Sequence, residues 1–263
     1  LSEVVSEGSI VLLVIDRKRR FLIRVERGRI LGTDKGYINH EELIGLEYGS
    51  IIKTSQGHRA IVLKPMHYDY IHGYRRVTQV VYPKDASYMI YMSGIGPGSI
   101  VVEGGVGTGY LTTCLARAVG ENGAVYGYEV REEFLNAAME NLALAGLLNR
   151  VKLKLKDIRE GVDEEGVDAV FLDIPDPWNA IESSYKALKP SHPLLIYIPT
   201  INQVEKTVLA LRRHGGYCDV RAVEVMLREI SVEEGATRPA QISITHTGYI
   251  VYARKILKNS LNC

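Results

Sequence analysis

SIVVEGGVGTGYLTTCLARAV, residues 99–119, decides the fold. Ile100, Val101 and Val102 form a short apolar run, the pattern of a strand buried in a core. The run stops at Glu103, passes through Gly104, Gly105, Gly107 and Gly109, and gives way to the helical pattern LTTCLARAV. Glycines let the backbone turn tightly and approach a ligand closely, and the helix that follows offers free N–H groups at the same place. A buried strand, a glycine turn and a helix make half of a parallel strand–helix–strand unit.

The pattern repeats downstream. AVYGYEV (124–130) reads as a strand, REEFLNAAMENLALAG (131–146) as a helix, RVKLKLKD (150–157) as a third strand and DAVFLDI (168–174) as a fourth. NAIESSYKALK is a helix, PLLIYIP (193–199) a fifth strand and QVEKTVLALRRHG another helix. Two longer strands follow, around 218–231 and 245–255; with no helix-length spacer between them they suggest an antiparallel edge strand. Upstream, PKDASYMIYMSGI is helical and the turn GPGS leads into the quoted stretch. Strands alternating with helices predict an α/β doubly wound sheet with helices on both faces.

The front of the chain has another texture. Between residues 8 and 65, short β-like runs alternate with turn signals such as RGR, GTDKG and YGS, which predicts a small antiparallel barrel or sandwich. An aromatic, basic connector (66–82) joins it to the rest, so the expected domains are 1–70 and 71–263. Residues 1–80 hold 13 Lys and Arg against 9 Asp and Glu, while the remainder hold 19 against 22, within a chain of net charge +1. That asymmetry hints at a polyanionic partner. The runs RKRR (17–20) and Arg75–Arg76 are candidates for phosphate contact. Cys114, Cys218 and Cys263 have no metal or redox spacing, no metal site is expected, and an odd, small number of cysteines fits a reducing cytoplasm. No apolar run spans a bilayer and no signal-peptide pattern opens the chain, so the expectation is a cytoplasmic protein without a membrane partner.

Three strand ends carry acids. The glycine spacing is G-x-G-x-G, with Tyr110 where the dinucleotide fingerprint G-x-G-x-x-G needs glycine, which disfavours NAD. It is the form seen in class I methyltransferases. Glu129 closes the second strand, where an acid can hold a ribose diol, and Asp157 the third, where a carboxylate can accept from an adenine amine. Asp173 ends the fourth strand, followed by Pro175 and Pro177, which stiffen the backbone, and by Trp178, which can wall a pocket or simply pack. Asp176 lies past the strand end and is expected on the outer side of the turn. All these acids fall at the carboxyl edge of one sheet, where doubly wound folds bind ligands.

FLDIPDPW (171–178) is similar to the [D/N]-P-P-[Y/F/W] motif of amino-methyltransferases. Together with TQVVYPKDA (78–86), VVEGGVGTGYLT, YGYEVREEF, YIPTINQV and HTGYIVYARK, it resembles the TrmI-type tRNA (adenine-N1)-methyltransferases over most of residues 75–255. The resemblance implies a class I methyltransferase fold, a seven-stranded doubly wound sheet behind a small N-terminal β domain, with S-adenosylmethionine as cofactor. It implies tRNA as substrate, methylated on adenine 58 and in archaeal members also 57, and a homotetramer. It places Glu103, Gly105, Gly107, Thr108, Gly109, Tyr110 and Leu111 beside the methionine end of the cofactor, Gln79 near the sulfonium and Glu129 on the ribose. Val130 and Phe134 would flank the adenine and Asp157 read its amine. Asp173 would be the catalytic carboxylate, Tyr82 and Tyr197 would line the target-base pocket with His246 nearby, and Arg75 and Arg76 would border it. Tyr110 departs from the small residue common there, and His246 is as readily a satisfied strand residue as a site residue. Two rivals stand beside this reading: a protein isoaspartyl methyltransferase, which has a similar glycine loop, and a non-catalytic RNA-binding subunit.

Overall fold

The structure, a computed structural model, describes residues 3–241 and 246–257. The chain forms two compact units that part between Arg75 and Arg76. Cys263 lies outside the described residues, and Cys114 and Cys218 are both half-buried.

The first unit is all β apart from short turns of 3-10 helix. Strands β1 (Ile10–Val14), β2 (Arg20–Arg24), β3 (Ile30–Thr33), β4 (Gly36–Asn39), β5 (Ile51–Lys53) and β6 (Arg59–Leu63) make a four-stranded antiparallel sheet, order β2-β1-β6-β5, and a β3–β4 hairpin. β6 shows why: Ala60 and Val62 point inward to Val11, Leu13 and Ile38, while Arg59 and Ile61 face outward. The β1–β2 turn is set by Asp16, whose carboxylate accepts from the backbone of Lys18 and Arg19 at 2.8 and 3.0 Å. Arg19 is then held between Asp16 and Asp34, and Arg20 pairs with Asp69 at 2.9 Å. Half of the RKRR run is therefore engaged within the unit itself.

In the second unit the elements are α1 (Pro83–Ser93), β7 (Ile100–Gly104), α2 (Tyr110–Val119), β8 (Ala124–Glu129), α3 (Glu132–Leu144), β9 (Val151–Leu155), β10 (Ala169–Leu172), α4 (Ile181–Ala187), β11 (Pro193–Ile198), α5 (Ile201–His214), β12 (Tyr217–Glu224), the short ribbon β13 (Ile230–Ser231) with β14 (Arg238–Pro239), and β15 (Tyr249–Lys255). Seven strands form one sheet in the order β12-β15-β11-β10-β7-β8-β9. The five from β11 to β9 run parallel. β15 is antiparallel to both neighbours. Two details differ from the sequence reading. The antiparallel strand is interior, with β12 at the edge; and the strand expected over 218–231 stops at Glu224, β13 covering only two residues of the remainder.

Burial on two faces explains the unbroken apolar strands. In β10, Val170 and Leu172 pack into a cluster with Ile181 of α4 and Val204 and Leu211 of α5. Ala169 and Phe171 face the other way, toward Met89 of α1, Leu115 of α2 and Leu142 of α3. α5 begins where the Thr200 hydroxyl accepts from Gln203 N and ends with Arg212, Arg213 and His214 before left-handed Gly215, a cationic last turn that suits the helix dipole. The chain runs from β7 outward to β8 and β9, then returns to place β10 on the other side of β7. That reversal makes the carboxyl ends of β7 and β10 the switch point where such sheets bind ligands.

Candidate active site

At the switch point the glycine loop and the end of β10 come into contact. A Cβ on Gly105 (φ 85°) would sit 2.1 Å from the carbonyl oxygen of Asp173, so only glycine fits. Asp173 N donates to the Gly104 carbonyl at 2.8 Å, extending the ladder by one bond past Leu172. Gly109 (φ 80°) opens α2, and a Cβ there would press on Ala138 of α3 at 3.1 Å; its role is helix packing.

Glu129 organises the loop from the end of β8. One carboxylate oxygen accepts from Gly107 N at 2.9 Å, the other from Val130 N and Arg131 N at 2.9 and 3.0 Å. Thr108 is held by Thr78, hydroxyl to hydroxyl at 2.9 Å, and by Asn141, whose amide donates to its carbonyl at 2.9 Å. Thr78 and Asn141 were missed in the sequence; hydroxyls and amides are too common for type alone to mark them.

A cleft of about 390 Å³ opens beside the loop. It is lined by Gln79, Gly105, Gly107, Glu129, Val130, Phe134, Asp157 and Asp173. A second space of about 20 Å³, room for about one water, adds Glu103, Thr108, Tyr110 and Leu111. Of the residues expected around the cofactor, only Gly109 lines neither.

The electrostatics of these cavities ask for a cation. Glu103 is wholly buried, neither carboxylate oxygen has a hydrogen-bond partner, and Thr112 approaches without completing a bond. Burial pushes its carboxyl up to about 8, and the charges of Asp173 and Glu129 push the same way. Asp173 is raised to about 7, first by the protein packed around it and then by Glu129. A buried carboxylate without a donor is costly unless a cation or proton arrives. S-adenosylmethionine carries an ammonium and a sulfonium, and its ribose and adenine suit the acids at β8 and β9. The residues present fit this group.

The far lip of the cleft holds the largest surprise. Arg159 places Nε and Nη2 on Asp157, and Nη1 2.8 Å from Asp176, bridging two loops across the opening. Asp176 therefore lines the cleft and does not face away from it. It also accepts from Asn179 Nδ2 at 2.7 Å, while Gln203 Nε2 donates to the Pro175 carbonyl at 2.8 Å. Trp178 packs against the α4/α5 core with the Lys206 ammonium 3.8 Å over its ring; packing, not pocket wall, is its place.

Tyr82, Tyr197, His246, Arg75 and Arg76 line neither cavity. Tyr197, next to last in β11, is buried, its hydroxyl donating to the Thr247 carbonyl at 2.6 Å. Burial raises its pKa, and the charges of Asp85 and Asp173 add to the rise, which puts both acids within electrostatic reach. Tyr82 is the N-cap of α1. His246 sets Nδ1 2.7 Å from Glu224 and Nε2 2.9 Å from the Pro199 carbonyl. Two acceptors on one ring favour the imidazolium, so its pKa is raised, chiefly by Glu224; the satisfied structural role describes it. Arg75 and Arg76 are exposed.

Residues 71–241 match the family model described as the tRNA methyltransferase complex GCD14 subunit, and residues 4–52 match the TrmI-like N-terminal model. The Methanocaldococcus jannaschii tRNA (adenine(57)-N(1)/adenine(58)-N(1))-methyltransferase TrmI is 35% identical, over 92% of this chain and 94% of that protein. A crystal structure from Thermotoga maritima, described as a SAM-dependent O-methyltransferase, superimposes with a TM-score of 0.90 at 38% identity, covering 96% of this chain and 95% of that one. That of tRNA (m1A58) methyltransferase TrmI from Aquifex aeolicus gives 0.83 at 28% identity, covering 97% and 100%.

Proposed function

Because this chain belongs to the GCD14/TrmI family of tRNA methyltransferases, we propose that it transfers a methyl group from S-adenosylmethionine to N1 of adenine in the T-loop of tRNA, at position 58, alone or together with 57, the pair named for its archaeal relative. The observation that carries this reading is the acid trio at the switch point. Glu103 and Asp173, both raised in pKa, face one cavity system beside the loop that Glu129 holds.

The cofactor supplies an electrophilic methyl on a sulfonium. Everything else falls to this chain. Adenine N1 is a neutral lone pair, so no proton need leave before attack; the N–C bond forms as the C–S bond breaks, and the leaving thioether is neutral. The base gains the positive charge, and its exocyclic amine becomes more acidic. A carboxylate accepting from that amine orients the ring and stabilises the growing charge, which is the role of Asp173. Gly105 and the Asp173 N–H bond to Gly104 fix where that carboxylate stands. The target nucleotide must be extruded from the T-loop, a cost of about a few kcal/mol that stacking on Tyr82 and Tyr197 offsets. Among the described residues no helix is long and apolar enough to cross a membrane. The proposed tRNA substrate supports a cytoplasmic location, and the tetrameric assembly suggested by family resemblance predicts a light-scattering mass of four chains.

Methyl transfer from labelled S-adenosylmethionine to bulk tRNA, followed by nucleoside digestion, tests the reading. N1-methyladenosine is expected. A ribose O-methyl nucleoside would favour the chemistry named for the Thermotoga relative, labelled isoaspartyl peptide the carboxyl-methylating rival, and no product a non-catalytic subunit.

A further inference from the structure

Three stretches of chain meet at the Lys84 ammonium in the first turn of α1. Its side chain is 9% exposed and that of Asp85 is fully buried. Each of its three N–H donors has an acceptor: Asp85 Oδ1 at 2.8 Å, Thr247 Oγ1 at 2.6 Å and the Val225 carbonyl at 2.6 Å. The Thr247 hydroxyl donates a hydrogen bond to Asp85 Oδ2 at 2.6 Å, closing a ring of ammonium, hydroxyl and carboxylate. The carbonyl of the same Thr247 receives the Tyr197 hydroxyl. A Cβ on Gly248 would lie 2.5 Å from Cζ of Tyr197, so the backbone of residues 247 and 248 packs against the phenol as well as bonding its hydroxyl. At the other end, the Tyr82 carbonyl accepts from Asp85 N and Ala86 N, each at 2.9 Å.

Stability alone gives little reason for this arrangement. A buried ion pair roughly breaks even against apolar residues of the same volume, and a lysine in the first turn of a helix opposes the helix dipole. What the ring does supply is geometry, joining α1, the end of β11 and the two chain segments that flank the β13–β14 ribbon.

We propose that Lys84, Asp85 and Thr247 are positioning residues, a clamp that sets Tyr82 and Tyr197 against Asp173 for the incoming adenine. The inference rests on the adenine N1 reading above. The hydrogen bonds of the clamp run to Val225, Tyr197 and Tyr82, none of which lines the cofactor cleft, so it bears on the rate at bound substrate and not on cofactor affinity.

Thr247→Val keeps the shape and the carbonyl and removes the bridging hydroxyl. With tRNA and cofactor saturating, its single-turnover rate should fall about 10- to 100-fold, the scale of a misplaced reactive partner. The Kd for S-adenosylhomocysteine should change by less than about threefold, and Thr247→Ser should restore the rate to within about threefold of wild type. Tyr197→Phe breaks the last link, and combining it with Thr247→Val should slow turnover no further than the slower single change, because both act through one connection. A Thr247→Val protein with a lowered melting temperature and an unchanged rate overturns the clamp, since a purely structural ring gives that result. Should that variant not fold, Tyr197→Phe decides: a wild-type rate overturns the proposal and a slowed rate at unchanged cofactor affinity supports it. A wild-type protein that makes no N1-methyladenosine overturns the functional reading, and the clamp's role with it; active wild type with unimpaired variants overturns the clamp alone.

Discussion

Addition of S-adenosylmethionine to the cofactor-free protein should release about one proton per chain at pH 7. With a carboxyl raised to about 7, Asp173 is about half protonated there, and Glu103, at about 8, is about nine-tenths protonated. A bound cation lowers both. The two acids and Glu129 titrate as a coupled set, so about one proton rather than the separate fractions is the expected release. Release should shrink to about a tenth of a proton by pH 9, where both groups are already ionised without ligand. Calorimetric titration in two buffers of different ionisation enthalpy reads this number as a slope. Glu103→Gln should leave about half a proton at pH 7, that of Asp173, and weaken binding. The same shift has a stability sign. A folded-state pKa raised above the unfolded value near 4.3 means the native chain holds the extra proton, so stability falls as pH rises from about 4 to about 8. Glu103→Gln should therefore raise the melting temperature of the cofactor-free protein at pH 9, by at least about 3 °C. A binding enthalpy independent of buffer would refute the claim that these acids wait, protonated, for a cation.

Asp173→Ala should leave folding and tRNA affinity nearly intact and lower single-turnover rates by roughly 100- to 1,000-fold, the loss of one preorganised group; a smaller loss than that from Asp176→Ala would reverse the roles of the two carboxylates. Because Asp176 anchors Arg159, its change to alanine should instead weaken S-adenosylhomocysteine binding by about three- to tenfold, measured by calorimetry. Gly105→Ala drives a methyl into the Asp173 carbonyl, and the resulting shift should abolish cofactor binding while circular dichroism stays native. Replacing Arg75 and Arg76 together should make the slope of log K for tRNA against log salt shallower by about one or two units; an unchanged slope means neither meets a phosphate.

The parallel core was legible because burial on both faces leaves strands such as AVFL with no polar alternation, and because Gly105 has a steric reason to be glycine. The acids at strand ends were legible for the same topological reason: Glu129, Asp157 and Asp173 each follow a run that can only be a strand. What escaped were contacts set by tertiary geometry. Nothing local tells that Arg159 reaches from the loop after β9 to Asp176, which turned an outward-facing acid into a cleft residue. The link from Lys84 to Thr247 spans most of the second unit, and no periodicity records it. The last strand pair, lacking a helix-length spacer, suggested an antiparallel edge strand; the antiparallel strand β15 instead lies between β12 and β11, and β12 takes the edge. His246 was a candidate through the family resemblance; two short hydrogen bonds occupy it.

The central claim is methylation of adenine N1 in tRNA, and its most direct test is mass-spectrometric mapping of an unmodified tRNA transcript after reaction with the purified protein and S-adenosylmethionine. The account predicts N1-methyladenosine at position 58, alone or with 57, and its near-absence with the Asp173→Ala protein. A methyl group on a ribose oxygen, on another base, or on no nucleotide at all would contradict it.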